Sequence, residues 1–276
     1  MSATVTFSVD SAQGPKDVSV VYRRGGSGDP VLLLHGIGHH HQAWDPVFGI
    51  LAAERDVIAV DLPGFGASPA LPDGFAYDLA NFVPALNALC KALDIERPHV
   101  VGNSLGGLLA LEMGREKLVR SVTALSPAGF WTRAEQRYAF GTLLAMHRGA
   151  KLLPLPAIER LSRSAVGRAA LTSAIYARPG RRSPEAVVAE TLALREATGF
   201  HATLAAGRGL RWIDDVDSVP VTIGWGTRDR LLLRRQGVRA KRAIPGARLI
   251  ALRGCGHVPM NDDPALVSRV VLDASS

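Results

Sequence analysis

The chain of 276 residues has only two cysteines, Cys90 and Cys255, which lie far apart in the sequence. So few cysteines exclude a disulfide framework and indicate a reducing compartment. No run of about 18 or more uncharged apolar residues occurs, so no transmembrane helix is predicted. The first residues lack the basic start and apolar block of a signal peptide. We therefore expect a cytoplasmic protein without a membrane segment.

Acidic residues are also in deficit, with 25 Asp and Glu against 32 Lys and Arg, and the formal net charge is +7. Much of the basic excess lies in residues 130–205. Such an excess can indicate an anionic substrate, a membrane surface or a nucleic acid. Because no aromatic residues are interleaved with these charges and no nucleic-acid motif accompanies them, we interpret the excess as solvated helix surface. Neither nucleic acid nor a membrane is expected as a partner.

A run of three histidines, His39-His40-His41, is the one pattern that suggests a metal ion. Adjacent histidines on a loop cannot easily all face one ion, and no cysteine or carboxylate pairing supports a site. The sequence therefore predicts neither a metal nor another cofactor.

Short unbroken apolar runs, such as Val31–Leu34 and Ser121–Leu125, are typical of strands that are covered on both faces. Helical spacing lies between them, for instance over 43–54 and 77–93. Repeated strand–helix units of this kind predict the α/β class, with a mostly parallel, doubly wound sheet of about eight strands. An antiparallel pair near the start of the chain is expected at a sheet edge.

The strand–helix rhythm breaks after Gly129 and resumes after Gly209. Between them, helical Ala, Leu and Arg stretches are interrupted by prolines, and no convincing strand occurs. We interpret residues 130–209 as an inserted helical cap, and residues 1–129 and 210–276 as one α/β core.

Ser104 lies in the stretch Val100–Leu111, which reads as strand, sharp turn and helix. Gly102 and Gly106 flank the serine in the pattern Gly-x-Ser-x-Gly, which in this setting is a nucleophile elbow. The glycines are needed because strand and helix nearly touch at the turn. The helix N-terminus, with its unpaired N–H groups, faces any anion that forms on an attacked carbonyl.

A serine hydroxyl needs a base within hydrogen-bond reach, and the base needs an orienting carboxylate. His257 follows a strand in a Gly-rich loop, and Asp229 follows another strand between serine and histidine in the chain. Because the chemistry of parallel sheets lies at the carboxyl ends of strands, we predict Ser104, Asp229 and His257 as a catalytic triad. The backbone N–H groups of Ile37 and Leu105 are predicted to bind the oxyanion.

These pieces together resemble the α/β-hydrolase superfamily, on His35-Gly36, Asp61-Leu-Pro-Gly-Phe-Gly66, Gly102-Asn-Ser-Leu-Gly106, Asp229 and Gly256-His257. The resemblance covers essentially the whole chain and implies the α/β-hydrolase fold with a serine triad. The elbow also resembles that of C–C bond hydrolases that act on ring-cleavage products, although Val258 stands where those enzymes usually carry Trp.

The main hypothesis is a serine hydrolase, of the carboxylesterase type, that cleaves a small apolar ester, lactone or thioester through an acyl-enzyme. The alternatives are a C–C bond hydrolase, a cofactor-free haloperoxidase or an acyltransferase on the same triad, and a non-catalytic small-molecule receptor. The expected partner is a small-molecule acyl substrate, and the chain is expected to be a monomer or homodimer. Six residues are predicted to line the substrate pocket: Asn103, Phe130, Trp131, Leu143, Met146 and Val258.

Overall fold

The computed structural model describes residues 2–10 and 14–276. Its strands are β1 (Ser2–Val9), β2 (Lys16–Gly25), β3 (Pro30–Leu34), β4 (Asp56–Val60), β5 (His99–Asn103), β6 (Ser121–Leu125), β7 (Val221–Gly226) and β8 (Arg248–Leu252). Its α-helices are α1 (Asp45–Ala52), α2 (Leu79–Ala92), α3 (Leu105–Arg115), α4 (Arg133–Leu152), α5 (Leu155–Ser162), α6 (Ala165–Thr172), α7 (Pro184–Glu196), α8 (Phe200–Ala206), α9 (Arg235–Ala243), α10 (Pro259–Asp262) and α11 (Pro264–Ala274).

The strands form one sheet in the order β1-β2-β4-β3-β5-β6-β7-β8. β1 pairs antiparallel with β2, and β2 with β4, while the other neighbours are parallel. The predicted α/β class, the eight strands and the antiparallel pair at one edge are therefore confirmed. None of the helices in the described ranges is long and apolar enough to cross a lipid bilayer.

Helices cover both faces of the sheet, and β3 shows how its residues are divided between them. Leu32 and Leu34 pack in one hydrophobic cluster, together with side chains of α2, α3 and α9. Val31 and Leu33 pack in a second cluster, with side chains of α1 and α11. Successive side chains of a strand point to opposite faces, so a strand buried on both sides needs an unbroken apolar run. Each such buried side chain contributes roughly 1.5–3 kcal/mol relative to an exposed one.

Two helices differ in extent from the sequence prediction. The helix expected over 43–54 begins as a tight 3₁₀ turn, His41–Trp44, and becomes α-helical only at Asp45, where a proline occupies the first turn. The helix expected over 77–93 begins at Leu79, because the Asp78 side chain accepts a hydrogen bond from the N–H of Asn81 and so caps the helix.

A helical segment is inserted between β6 and β7. Within residues 126–220 the structure has α4–α8 and short 3₁₀ turns but no strand, and these α-helices fall inside the predicted range 130–209. Its first helix is fixed by a capping box of Thr132 and Glu135, and the buried Glu135 carboxylate also pairs with Arg235 and Arg239 of α9. The segment is thereby tied to the α/β core at its start.

Candidate active site

Ser104 occupies a sharp turn between β5 and α3. Its backbone has φ 57° and ψ −113°, a conformation that a residue with a side chain rarely adopts. A β-carbon at Gly102 would lie 2.0 Å from the carbonyl oxygen of Gly106, and one at Gly106 would lie 2.1 Å from that of Leu34. Only glycine therefore allows strand and helix to approach closely enough to form this turn.

His257 and Asp229 form a buried hydrogen-bonded pair at the ends of β8 and β7. The Nδ1 atom of His257 lies 2.9 Å from Oδ2 of Asp229. Oδ1 of Asp229 accepts hydrogen bonds from the N–H groups of Leu231 at 2.9 Å and Leu232 at 2.8 Å, which fix the carboxylate. A carboxylate only accepts, so the ring proton lies on Nδ1 and the lone pair is left on Nε2.

The side chains of Ser104 and His257 line the same cavity. No hydrogen bond joins the Ser104 hydroxyl to the His257 ring within the described part of the chain. Such bonds are often long in unliganded enzymes and tighten only when substrate binds. The structure therefore places both side chains on one cavity, with no hydrogen bond between them.

The two predicted oxyanion donors, Ile37 and Leu105, line one cavity together with Ser104. Leu105 is the first residue of α3, so its N–H has no partner within the helix. The Ile37 N–H donates to no other described residue. A β-carbon at Gly36 would lie 3.1 Å from the β-carbon of Ser104, so the loop backbone passes directly against the serine.

A network of buried polar side chains holds the Ile37 loop in place. The Nε2 atom of His35 accepts a hydrogen bond from the Leu62 N–H at 3.0 Å, so its Nδ1–H donates to the Gly36 carbonyl at 2.7 Å. Burial lowers the pKa of His35, which keeps this ring neutral. Asp61 accepts hydrogen bonds from both the backbone N–H and the ring of His41. His35 and Asp61 thus hold loop backbone.

The loop that carries His257 is bound to the inserted segment. Oδ2 of Asp262 accepts from the N–H groups of Gly256 at 2.8 Å and Ala177 at 3.0 Å, and Oδ1 accepts from that of Arg178 at 2.9 Å. The carbonyl of Ile175 accepts from the His257 N–H at 2.8 Å. The sequence analysis missed Asp262; the only sequence signal is a carboxylate shortly after the histidine.

Two cavities meet at Ser104. The first, which we call the large chamber, has a volume of about 330 Å³ and is lined by Ser104, His257, Ile37, Leu143, Met146, Leu171 and others. The second, which we call the small chamber, has a volume of about 60 Å³ and is lined by Ser104, Leu105, Leu108, Trp131, Phe140, Leu204 and others. The walls of both are mainly apolar, so they suit an apolar ligand.

The predicted pocket residues fall in three groups. Asn103, Leu143, Met146 and Val258 line the large chamber, and Trp131 and Leu143 line the small chamber. Phe130 lines neither: it packs beside Trp212, with ring centroids 6.4 Å apart, and lines a groove elsewhere. Its ring is buried in the hydrophobic core instead.

The Asn103 amide has a structural contact as well. Its Nδ2 donates to the carbonyl of Leu125 at 3.0 Å and to that of His257 at 2.8 Å. Asn103 therefore ties the strand before the serine to the histidine loop.

A family model described as "Alpha/beta hydrolase family" matches residues 31–270, which is most of the chain and includes every side chain of this site. The chain belongs to the alpha/beta hydrolase family. The fold prediction and the family resemblance are confirmed.

Three similar proteins have names that differ in the activity they state. An uncharacterised protein of Mycobacterium tuberculosis is 32% identical over 263 residues, which covers 88% of this chain and 74% of the relative. A 2-hydroxy-6-oxononadienedioate/2-hydroxy-6-oxononatrienedioate hydrolase of Cupriavidus pinatubonensis is 28% identical, covering 90% and 87% of the two chains. The crystal structure of esterase RhEst1 from Rhodococcus sp. ECU1013 matches with a TM-score of 0.74 and 26% identity, over 98% of each chain.

Proposed function

We propose that this alpha/beta hydrolase is a serine carboxylic-ester hydrolase with Ser104, His257 and Asp229 as its triad. The observation that carries the proposal is the His257–Asp229 pair, whose 2.9 Å bond leaves Nε2 unprotonated in the cavity that Ser104 also lines. A neutral imidazole in that tautomer is the base that a serine nucleophile requires. The esterase RhEst1, with which this chain shares its fold over 98% of its length, supports the same class.

The reaction follows from these positions. His257 Nε2 takes the Ser104 proton as the hydroxyl oxygen attacks the ester carbonyl, and the Ile37 and Leu105 N–H groups stabilise the oxyanion. The imidazolium then protonates the departing alcohol, which leaves an acyl-enzyme. Water, deprotonated by the same ring, releases the acid. Asp229 holds the ring in its tautomer and stabilises its cation, and the inserted helices act as a cap that covers the site.

The test is turnover of p-nitrophenyl acetate together with labelling by a fluorophosphonate probe. Ser104→Ala is expected to abolish both, since residual rates after loss of a triad member are lower by several orders of magnitude. Ser126→Ala is the matched control, because Ser126 also follows a sheet strand and its buried hydroxyl has no partner among the described residues. Equal labelling of the Ser104→Ala variant and the parent chain would refute the assignment.

A C–C bond hydrolase is the second candidate, favoured by the Cupriavidus relative. That relative's name describes a dienedioate, which carries two carboxylates. In the part of the chain that the structure describes, the large chamber has no lysine or arginine in its walls and does have Glu190. The Glu190 carboxylate is already paired with Arg182, so a dianion would find no lysine or arginine in these walls to pair with, and an uncharged ester is the better match. Hydrolysis of a vinylogous diketone at a higher kcat/KM than any ester would reverse this choice.

A further inference from the structure

We infer that this enzyme is specific for esters of short acyl groups with larger apolar alcohols, because its two chambers divide the substrate at Ser104. This inference rests on the proposed ester hydrolysis. Ser104, Ile37 and Leu143 line both chambers. His257 lines only the large chamber, whereas Leu105 lines only the small one. The nucleophile therefore stands at the junction, with the base on one side and an oxyanion donor on the other.

The position of His257 decides which half of the ester enters which chamber. When the tetrahedral intermediate collapses, the bond from the carbonyl carbon to the alcohol oxygen breaks, and that oxygen receives the proton from His257 Nε2. The alcohol oxygen must therefore lie within hydrogen-bond reach of the ring. Since the ring lies in the large chamber, the alcohol residue occupies that chamber. The acyl chain, on the opposite side of the carbonyl carbon, is left with the small chamber.

The volumes set the sizes of the two groups. One water-sized group takes about 30 Å³ in a liquid, so the 60 Å³ of the small chamber holds roughly two such groups beyond the carbonyl. Acetyl and propanoyl groups match this size, butanoyl exceeds it by one methylene group, and hexanoyl exceeds it by three. The large chamber, at about 330 Å³, holds a benzyl or naphthyl group. The mainly apolar walls disfavour anionic substituents on either half of the ester.

Two side chains separate the small chamber from a groove on the outside of the protein. Phe140 and Leu204 line the small chamber and also an outer groove whose other walls include Arg137 and His201. The Phe140 ring is held edge-on against Trp131, with centroids 5.6 Å apart. Truncating Phe140 would join the chamber to the groove, so longer acyl chains would gain a path out. Ala139 also lines the small chamber, where a larger side chain would reduce the volume.

The experiment measures kcat/KM on two ester series. The first keeps p-nitrophenol as the alcohol and varies the acyl group from acetate to decanoate. The second keeps acetate and varies the alcohol from methanol to 2-naphthylmethanol, followed by pH-stat. We expect kcat/KM to fall at least tenfold between butanoate and hexanoate in the first series. In the second series we expect it to rise at least tenfold from the methyl to the naphthylmethyl ester.

Two variants move the acyl limit in opposite directions. Phe140→Ala is expected to bring kcat/KM for the hexanoate ester within threefold of that for the butanoate ester. Ala139→Val is expected to lower kcat/KM for the butanoate ester at least fivefold relative to that for the acetate ester. Leu171→Ala, which widens only the large chamber, is the matched control: it should change the alcohol series and leave the shape of the acyl series as in the parent. Thermal unfolding of each variant checks that it is folded at the assay temperature.

The outcomes distinguish failure of the two-chamber specificity from failure of the proposed ester hydrolysis. If esters are hydrolysed but octanoate exceeds acetate in the parent, or if Leu171→Ala rather than Phe140→Ala shifts the acyl limit, the division of the substrate is overturned and ester hydrolysis stands. If no ester of either series is hydrolysed and the fluorophosphonate leaves Ser104 unlabelled, the proposed function and this inference both fall.

Discussion

Replacing Asp262 by asparagine tests how the histidine loop is held. The aspartate carboxylate accepts three backbone hydrogen bonds, from Gly256 at 2.8 Å, Ala177 at 3.0 Å and Arg178 at 2.9 Å. An asparagine has a single acceptor oxygen. In its best orientation it keeps the first two bonds and turns its NH₂ group toward the N–H of Arg178, which is then left without an acceptor.

The expected loss of stability follows from these contacts. One unsatisfied N–H costs about 1–3 kcal/mol, and the two remaining bonds weaken because a neutral acceptor replaces a charged one. Together these effects amount to about 2–4 kcal/mol. In a chain of this size, 1 kcal/mol lowers the Tm by roughly 2–4 °C, so a drop of roughly 4–16 °C is expected for Asp262→Asn.

Activity is expected to fall as well, because the same carboxylate positions the loop before His257. A loosened base lowers kcat on p-nitrophenyl acetate by roughly 10- to 100-fold, with a smaller change in KM, when the assay is run well below the Tm of the variant. Thermal unfolding by circular dichroism and steady-state kinetics measure the two effects.

The neighbouring Asp263 provides the control for this prediction. Its side chain caps α11 by accepting from the Leu266 N–H, a task that asparagine performs equally well. Asp263→Asn should therefore stay within about 0.5 kcal/mol of the parent, as surface or cap-preserving changes do. This role of the Asp262 carboxylate is refuted if Asp262→Asn is as stable as the parent chain, or if Asp263→Asn loses as much stability as Asp262→Asn.

Two further predictions concern a glycine and a histidine. Gly106→Ala should yield no soluble folded protein, because its β-carbon would overlap the Leu34 carbonyl. Gly49 lies in α1 where the space around its α-carbon is open, so Gly49→Ala should raise the free energy of unfolding by about 0.5–1 kcal/mol in chemical denaturation. Burial lowers the pKa of His40 to about 4 in the folded protein, below the 6.5 of a free side chain. Between these pH values the unfolded chain binds more protons, so stability should be complete above pH 6.5 and fall toward pH 4. His40 accounts for about 3 kcal/mol of the free energy of unfolding that is lost over this range. His40→Asn should therefore lose less stability than the parent chain between pH 6.5 and pH 4, as measured by chemical denaturation at several pH values.

Either result has a clear contrary outcome. A well-folded Gly106→Ala variant would show that strand and helix can separate at the turn. A stability profile of His40→Asn that parallels the parent between pH 7 and pH 4 would assign the acid sensitivity to other buried histidines, such as His35 or His39, whose pKa values burial also lowers.

The sequence was sufficient for the parts of the site that depend on strand ends. Unbroken apolar runs locate the parallel strands, and the polar residues that follow them, Ser104, Asp229 and His257, gather at one edge for that reason. The Asp262 contacts could not be predicted, because they join that loop to Ala177 and Arg178, in an inserted segment whose position no local pattern fixes. Tertiary packing likewise decides which side chains line the chambers, so helical spacing and order along the chain did not show that Phe130 faces the core.

The parallel order of the sheet also has a consequence for synthesis of the chain. In the sheet, β6 lies between β5 and β7. During synthesis, residues 126–220 must be made before β7 begins, so β6 can pair only with β5 until then. At about 5–20 residues per second this takes roughly 5–20 s. During that interval an apolar strand edge stays open on the ribosome while the local contacts of α4–α8 can already form. Slower initiation, which leaves fewer such open edges present at one time, should therefore improve the yield of recombinant protein more than stronger induction does.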